Sequence, residues 1–529
     1  MKTLSLVLSV LDAILRLSGA SSLEELGEAR LEHYYHLAEH PLNLNEASRS
    51  ELLVLDFLSP FEIASILDYR GRNGDIFSVA ELSSVIGIDL QKALDLSYFL
   101  NFESRHRPSQ REGIKTYQLR VNMRNSLKNK EISSLFKLQG DYGPWSLALS
   151  STDKLQNYHI AYSDSRFRLL LGSFNLHYGQ GLLLWTGFSL STVSSPSTLS
   201  RNPSLATASN SSSAAYALKG VSLSFSPGQF SFELSAFDRC LSARLNHYSP
   251  RFSLALSALC SEEYVAAGFD LKSSLGKFTL WNESAAILRE GILSTASIGG
   301  IRYNIAYQKH LSLSLRVYSP LYQSPYSSAL SLFGKSTDQW ALSLGYQSPG
   351  FDFCLDGGGR ISNSDKALRS SENLYGQWDL ADWTLLGKLR HRLKIKPEEP
   401  AVNELKAEIQ AKREEIGLKL MGLVQSGRCF SAYAEMCLSV RELSCQLAYF
   451  DAPQWTERIY AYSPDVPGSF AIRQYYGKGY ALGLYGRFGD LALKFSYIGR
   501  LDARQPLLEL RMYLQFRMSG RVPSQVQEH

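Results

Sequence analysis

From Gly113 to Met518 apolar and polar residues alternate with a period of two, and nowhere does the chain reach the ~20 uninterrupted apolar residues that a membrane helix needs. That period places successive side chains on opposite faces of a sheet. In TYQLRVNMR, Tyr117, Leu119, Val121 and Met123 share one face, while Gln118, Arg120, Asn122 and Arg124 share the other. The pattern recurs in pairs joined by turn residues: Val221 to Phe225 and Phe230 to Leu234 across Ser226-Pro227-Gly228-Gln229, and Ile301 to Tyr307 and Leu311 to Val317 across Gln308-Lys309-His310. Trp340 to Tyr346 and Phe351 to Leu355 flank Gln347-Ser348-Pro349-Gly350, and Tyr480 to Leu484 and Leu491 to Tyr497 flank a turn near Gly489. A soluble sandwich also alternates. Long strands with aromatics at their ends, continuing without a second domain signal, favour a closed transmembrane barrel with lipid outside and polar side chains within. At roughly 20 residues per strand and connection, residues 113–518 predict about 18 to 22 strands. The last strand, Leu508 to Met518, has the alternation and late aromatic of an outer-membrane insertion signal, and residues 519–529 form a tail.

A chain of 529 residues exceeds one ordinary soluble core, and its 29 tyrosines, 25 phenylalanines and 38 glycines suit a large barrel. Longer polar connections are expected at 186–215, 319–337, 391–403 and 451–478; the first is Ser/Thr-rich and lies either outside the membrane or in the lumen. The six cysteines lack C-x-x-C spacing and histidine partners, which excludes an ordinary zinc site. A turn at Arg441-Glu442 sets Leu438, not Cys437, opposite Cys445, so those two thiols do not face each other.

The first hundred residues differ. Lys2, an apolar run from Leu4 and Ser18-Gly19-Ala20 predict a signal peptide over 1–20, followed by a helical leader over 21–40. Apolar residues then recur at helical spacing. Ser48-Arg49-Ser50-Glu51, Ser59-Pro60-Phe61-Glu62 and Ser78-Val79-Ala80-Glu81 each spell a capping box, Pro60 suits a first helical position, and Asp89 caps a fourth helix. The expected core is Leu52, Leu53, Leu55, Ile63, Ile66, Leu67, Leu82, Val85, Ile86, Leu94 and Leu96. Residues 1–102 hold 7 basic and 15 acidic side chains, a balance of −8 within a chain of +5, so the remainder carries +13. The predicted class is therefore α+β and multidomain, with a small all-α domain at 41–102 followed by a large antiparallel barrel.

Residues 41–89, with Asn43-Leu44-Asn45, the Leu58-Ser59-Pro60 start leading through Ile63, Ile66, Tyr69 and Arg70, and Phe77 with Glu81-Leu82, resemble the ComEA-like tandem helix-hairpin-helix module. LGSFNLHYGQGLLLWTGF, Leu171 to Phe188, is similar to a stretch of Gram-negative proteins that join this module to an outer-membrane barrel; its marks are Gly172, Gly179, Gln180, Gly181 and Trp185, and Ser173 replaces an aspartate. The resemblance implies a periplasmic domain on an outer-membrane barrel. DNA-binding members carry a G-h-G hairpin, because bare backbone N–H groups must reach a phosphate. Here the hairpins are Phe57-Leu58-Ser59, without glycine, and Gly87-Ile88-Asp89, with a carboxylate where phosphate would sit. Four cations stand against nine acids over 41–102, so attraction to DNA is weak. A docking module contacting a periplasmic protein or the barrel's own periplasmic rim is preferred over DNA uptake. Outer-membrane lipid is the other expected partner.

Other chemistry is sparse. Gly334-Lys335-Ser336-Thr337 lacks the first P-loop glycine, since position 329 is alanine, and precedes a strand. His33, His36 and His40 share a helix face without H-E-x-x-H, and no G-x-S-x-G elbow accompanies His159, His177, His310 or His391. No enzyme activity, metal or cofactor is expected. Arg120, Arg124, Arg166, Arg168, Arg316, Lys388, Arg390, Arg511 and Arg517 read as inward-facing; they either form a cationic lumen or stiffen the wall by pairing with Asp270, Glu283 and Glu509.

Overall fold

Alternation over so many residues leaves unpaired sheet edges unless the two ends meet, and here they do. The computed structural model describes the chain except residues 1–9, 11–12, 19–25, 27, 40, 54, 104–113, 129–130, 153–154, 165, 188, 190, 210–216, 307–308, 363–365, 398, 428–429, 464, 467–470, 502–505 and 524–529. Among the described residues, 24 antiparallel strands form one closed ring, and Leu507–Pro523 closes it on Ile114–Lys128. The short strand Ser204–Ala208 adds to the end of Phe167–His177, and the hairpin of Ile459–Ser463 with Ala471–Tyr475 stands apart from the ring. The count exceeds the expected 18 to 22 because many connections are tight turns, as between Phe278–Arg289 and Ile292–Ala306 or Leu368–Leu380 and Trp383–Lys396, so the repeat is shorter than assumed. Residues 391–403 are not a connection: Trp383–Lys396 and Glu399–Arg413 run through them. That stretch reads as polar because its inward face is basic, while Leu393 and Ile395 keep the alternation. The last strand also continues past Met518 to Pro523. Leu438 faces Cys445, as the turn geometry requires.

Side chains sort by face as the period demands. On Phe230–Phe237, Phe230, Phe232 and Leu234 lie exposed on the outside, and Ser231, Glu233 and Ser235 are buried within. The same apolar outer face runs through Leu241, Leu256, Val265, Leu313, Leu342, Leu447, Leu484 and Leu510, which is the surface that hydrocarbon requires. No described helix is long and apolar enough to cross a membrane. Short turns gather at the end where the ring's first strand begins and its last strand finishes; the long connections after His177, Tyr318 and Ala452 all leave from the opposite end.

The N-terminal helices are α1 (Glu28–Glu39), α2 (Arg49–Leu52), α3 (Pro60–Asn73), α4 (Val79–Leu82) and α5 (Leu90–Leu96). Ser48 and Ser59 complete their capping boxes with Glu51 and Glu62. Ser78 makes only half of one: it accepts from Glu81 N, but the Glu81 carboxylate turns to Phe77 N at 2.9 Å. Asp89 caps α5 by accepting from Lys92 N at 2.8 Å. Leu52, Leu55, Ile63, Ile66, Leu82 and Leu96 form the core. Ile86 and Leu94 do not belong to it, being 74% and 44% exposed: Ile86 lies in the turn before α5, and Leu94 shares an exposed face of α5 with Leu90. Residues 13–18 are helical, Ile14 is buried in this core, and Arg16 pairs with Asp95 at 2.8 Å; most of the segment expected as a signal peptide, 1–20, lies outside the described residues, and the leader expected over 21–40 contains α1.

These helices sit against the barrel's short-turn end. Tyr248 and Leu205 join their core, the Arg49 guanidinium lies 5.1 Å from the Tyr248 ring centroid, and Glu62 is within electrostatic reach of Lys272 and Arg302 on the wall. Tyr35 on α1 neighbours Tyr485 and Arg487. Tyr264–Leu275 and Gly477–Phe488, which carry Lys272 and Tyr485, are half a ring apart. The helical segment therefore bridges the mouth.

Leu313, in the middle of Lys309–Tyr318, is 43% exposed on the outer face. Leu313→Arg should destabilise the folded chain by about 2–4 kcal/mol in a bilayer, read by denaturant unfolding in lipid vesicles; an unchanged midpoint would mean that this face does not meet hydrocarbon.

Candidate functional site

The Tyr178 to Trp185 stretch leaves the wall and turns into the lumen. Gly179 and Gly181 take positive φ of 54° and 92°, a backbone that aims successive N–H groups at one point. The acceptor at that point is Glu283, an inward-facing residue of Phe278–Arg289. Its carboxylate accepts Gln180 N at 2.5 Å, Leu182 N at 3.0 Å and Leu183 N at 3.3 Å. A Cβ on Gly179 would stand 2.5 Å from Glu283 Cδ, so the first glycine is required by close approach as well as by φ. Glu233, four strands away, accepts Ala206 N at 2.6 Å, and these two wall carboxylates hold the connection by its backbone.

The carbonyls of the same turn are met from the other side. Ser327 Oγ donates to Gly181 O at 3.0 Å, Tyr322 OH to Leu182 O at 2.9 Å and Ser324 Oγ to Leu183 O at 2.7 Å. The connection after Tyr318, which contains Gly334 to Thr337, thus folds over the first one. Between them, the two partners leave this buried backbone satisfied. Gln180 exchanges hydrogen bonds with the Arg201 backbone, receiving Arg201 N at 2.8 Å and donating to Arg201 O at 3.2 Å. The Arg201 guanidinium lies 4.9 Å from the Trp185 ring centroid. Both His177 nitrogens are engaged, by Ser204 Oγ at 2.9 Å and Thr186 O at 3.0 Å. Gly172, with φ 106°, sits where a Cβ would strike Tyr158 O at 2.2 Å. Gly179, Gln180, Gly181 and Trp185 are thus brought together as the base of a plug, while Gly172 stays in the wall, registered with His159 and Gly220. Sequence reading missed the role of Glu283, which serves the turn and not an arginine; the usable signal was two glycines flanking a polar residue, a pattern that needs an anion.

The inward basic residues divide. Arg316 is buried against Asp356 at 2.8 Å and Ser343, and Arg511 pairs with Glu509 and with Asp465 of the third connection. Asp270 pairs with Arg244 at 2.8 Å. Arg120 and Arg124 occupy inward positions, each following an exposed residue of the outer face, Leu119 and Met123. Arg168 is inward beside Glu233, whereas Arg166 is exposed at a turn and not in the lumen. Among the described residues no cluster of His, Cys, Asp and Glu is arranged to hold a metal.

At the helical hairpins, Phe57, Leu58 and Ile88 are buried and Ser59 is 5% exposed. Glu62 Oε2 accepts both Ser59 N and Ser59 Oγ, at 2.7 and 2.8 Å. Gly87 is exposed with φ 92°. Burial raises the Asp89 carboxyl above its usual range, against the lowering effect of Lys92 N. Burial likewise pushes the Tyr34 phenol well up, and its hydroxyl donates to Asp56 at 2.9 Å.

No protein-family model and no curated protein matches the chain. Solved structures do. The E. coli P pilus tip assembly intermediate PapC-PapD-PapK-PapG aligns over 79% of this chain and 62% of its own, less than two thirds, with 10% identity and a TM-score of 0.48. The P pilus usher (PapC) translocation pore aligns over 77% and 99%, with 9% identity and a TM-score of 0.41. Pseudomonas aeruginosa OccK5 (OpdH) covers the same shares at 8% identity and 0.27. At such values the likeness carries no argument about what this chain does.

Two outcomes follow from the geometry. Glu283→Gln removes the anion that three N–H groups share and should loosen the plug by about 1–3 kcal/mol, seen as faster protease cutting within 178–203; unchanged cutting would mean that the carboxylate does not hold the turn. Because the folded Asp89 pKa is raised, its ionisation opposes folding, and helix stability should fall as pH rises through that pKa. Asp89→Asn keeps the cap and should flatten this dependence, measured by amide exchange over 90–96 at several pH values.

Proposed function

We propose that this chain is an outer-membrane β-barrel whose N-terminal helix-hairpin-helix segment is a protein-contact module, docked on the periplasmic mouth of its own barrel and forming with the lumen connections a scaffold or closed pore. The observation that carries this reading is the bridge across the mouth, from Tyr248 and Lys272 on one side to Tyr485 on the other. Orientation follows the usual rule for such barrels, short turns inward to the periplasm and long connections outward. Charge supports the contact: the segment is acidic, the barrel basic, and Glu62 faces Lys272 and Arg302.

The competing reading, DNA binding or uptake through the hairpins, has less support. A phosphate approaches a helix N-terminus through free backbone N–H groups. At α3 the Glu62 carboxylate occupies that place, and at α5 the Asp89 carboxylate does. Lys92, the nearest cation, is already bound to Glu62 Oε1 at 2.6 Å.

A photo-reactive phenylalanine analogue at Tyr248 of the full chain in outer membranes should form an intramolecular adduct to 41–102, mapped by mass spectrometry. The same purified chain should not retard duplex DNA at low salt. An adduct confined to other proteins, or tight salt-sensitive DNA binding, would sink the reading.

A further inference from the structure

Near the mouth that the helices bridge, the wall presents hydrogen-bond donors without matching acceptors. Lys272 points inward from Tyr264–Leu275 and Arg302 from Ile292–Ala306, with Phe278–Arg289 between the two strands. Two strands and two residues separate them, roughly 12 Å between backbones, a gap that side chains of this length close from both ends. Lys272 stands directly across from Ser253 and Trp281, and Arg302 from Thr279 and Ser312. None of these four is an acid, whereas Arg244 on the same wall has Asp270 at 2.8 Å.

Most of the donors in this corner stay unused. Lys272 Nζ donates to Asn202 Oδ1 at 2.7 Å and Arg302 Nε to Ser312 Oγ at 3.4 Å, and neither side chain makes an ion pair among the described residues. The Trp281 indole is 3% exposed and lies against Gly300, where a Cβ would stand 2.4 Å from its Cζ2, and its Nε1–H finds no acceptor among the described residues. His310 Nε2, within electrostatic reach of Arg302, is also buried without a partner among them. Buried donors left in this state cost free energy. The helical segment does not supply the missing anion. Glu62 is within electrostatic reach of both wall cations, but its Oε2 accepts Ser59 N and Ser59 Oγ, and its Oε1 accepts Lys92 Nζ at 2.6 Å. Asp89 is turned to Lys92 N. Lys92 is itself a further cation within reach of Lys272.

We infer that Lys272, Arg302, Trp281 and His310 form an anion site under the helical segment, which takes a small soluble solute bearing a phosphate or carboxylate group. Such a group accepts charge-assisted hydrogen bonds from the lysine and the guanidinium and a neutral one from the indole, and the low-dielectric wall strengthens the attraction. It also screens Lys272 from Lys92, so the bound anion draws the helices onto the wall. The site lies inside the ring, where lipid headgroups do not reach. Its closure by the helices rests on the docking proposed above, whereas its donors belong to the wall, so the two readings fail separately.

The test is calorimetric titration of inorganic phosphate, and separately of succinate, into the full chain folded in detergent at low salt. Saturable binding that weakens with added chloride is expected. Preference for phosphate assigns the site to phosphorylated solutes, and equal or better binding of succinate assigns it to carboxylates. The K272Q/R302Q variant should bind roughly tenfold more weakly or worse, and Trp281→Phe, which removes one N–H and keeps the ring's bulk, about fivefold more weakly. Arg239→Gln on an exposed turn should bind as before. Heat-modifiable migration checks that each variant is folded. Should the double variant misfold, Arg302→Gln and the charge-keeping Arg302→Lys replace it, with the greater weakening expected in the former. The yield of the Tyr248 photo-adduct, read with and without saturating anion, should rise when the site is filled. Absence of binding for both anions while the adduct still forms, or binding that loss of these charges leaves unchanged, overturns the inference; binding by the wall without any adduct overturns the docking and leaves the site standing.

Discussion

Everything in this molecule depends on the pairing of its first barrel strand with its last. Glu509 registers with Lys128 and, at the other end, Pro523 with Ile114, so the ladder runs the full length of the first strand. Without that ladder two strand edges would stand unpaired in hydrocarbon, where each unsatisfied N–H or C=O costs several kcal/mol. Closure also separates an apolar exterior from an interior that must be satisfied by polar contacts. It creates the lumen in which buried acids and bases become tolerable.

Two carboxylates show how that interior is organised. Glu233 and Glu283 belong to the wall, yet their partners are backbone N–H groups of an inserted connection. A buried carboxylate needs several donors, and a connection entering a lumen needs acceptors for its freed amides. Each meets the other's need. On this side side-chain ion pairs supply the remaining neutralisation, as at Arg316 and Asp356.

How much of this was legible in the sequence follows from the physics of each part. Alternation at Leu119, Val121 and Met123, or at Phe230, Phe232 and Leu234, is local and survives into the barrel wall unchanged. Caps at Ser48, Ser59 and Asp89 are local too and were readable. The strand number was not, because it depends on turn lengths that a fixed repeat overestimates. Residues 391–403 misled because a lumen-facing cationic strand has the composition of a loop. Ile86 and Leu94 misled because helical spacing marks an apolar face without saying whether anything covers it. The partner of Gly179 and Gly181 lies about a hundred residues away, at Glu283, and no local pattern names it.

Asn202 sits where the two insertions meet: it donates to Asp56 O of the helical segment at 3.3 Å and accepts from Lys272 Nζ of the wall at 2.7 Å. The connection that carries it is tethered at one end of the barrel, and the helical segment at the other. The shared contact links these two segments energetically. Whatever draws the helices away weakens the hold on the connection, and by the reciprocity of linkage a displaced connection eases release of the helices by the same free energy. One amide side chain thus couples the helical segment, the connection and the wall.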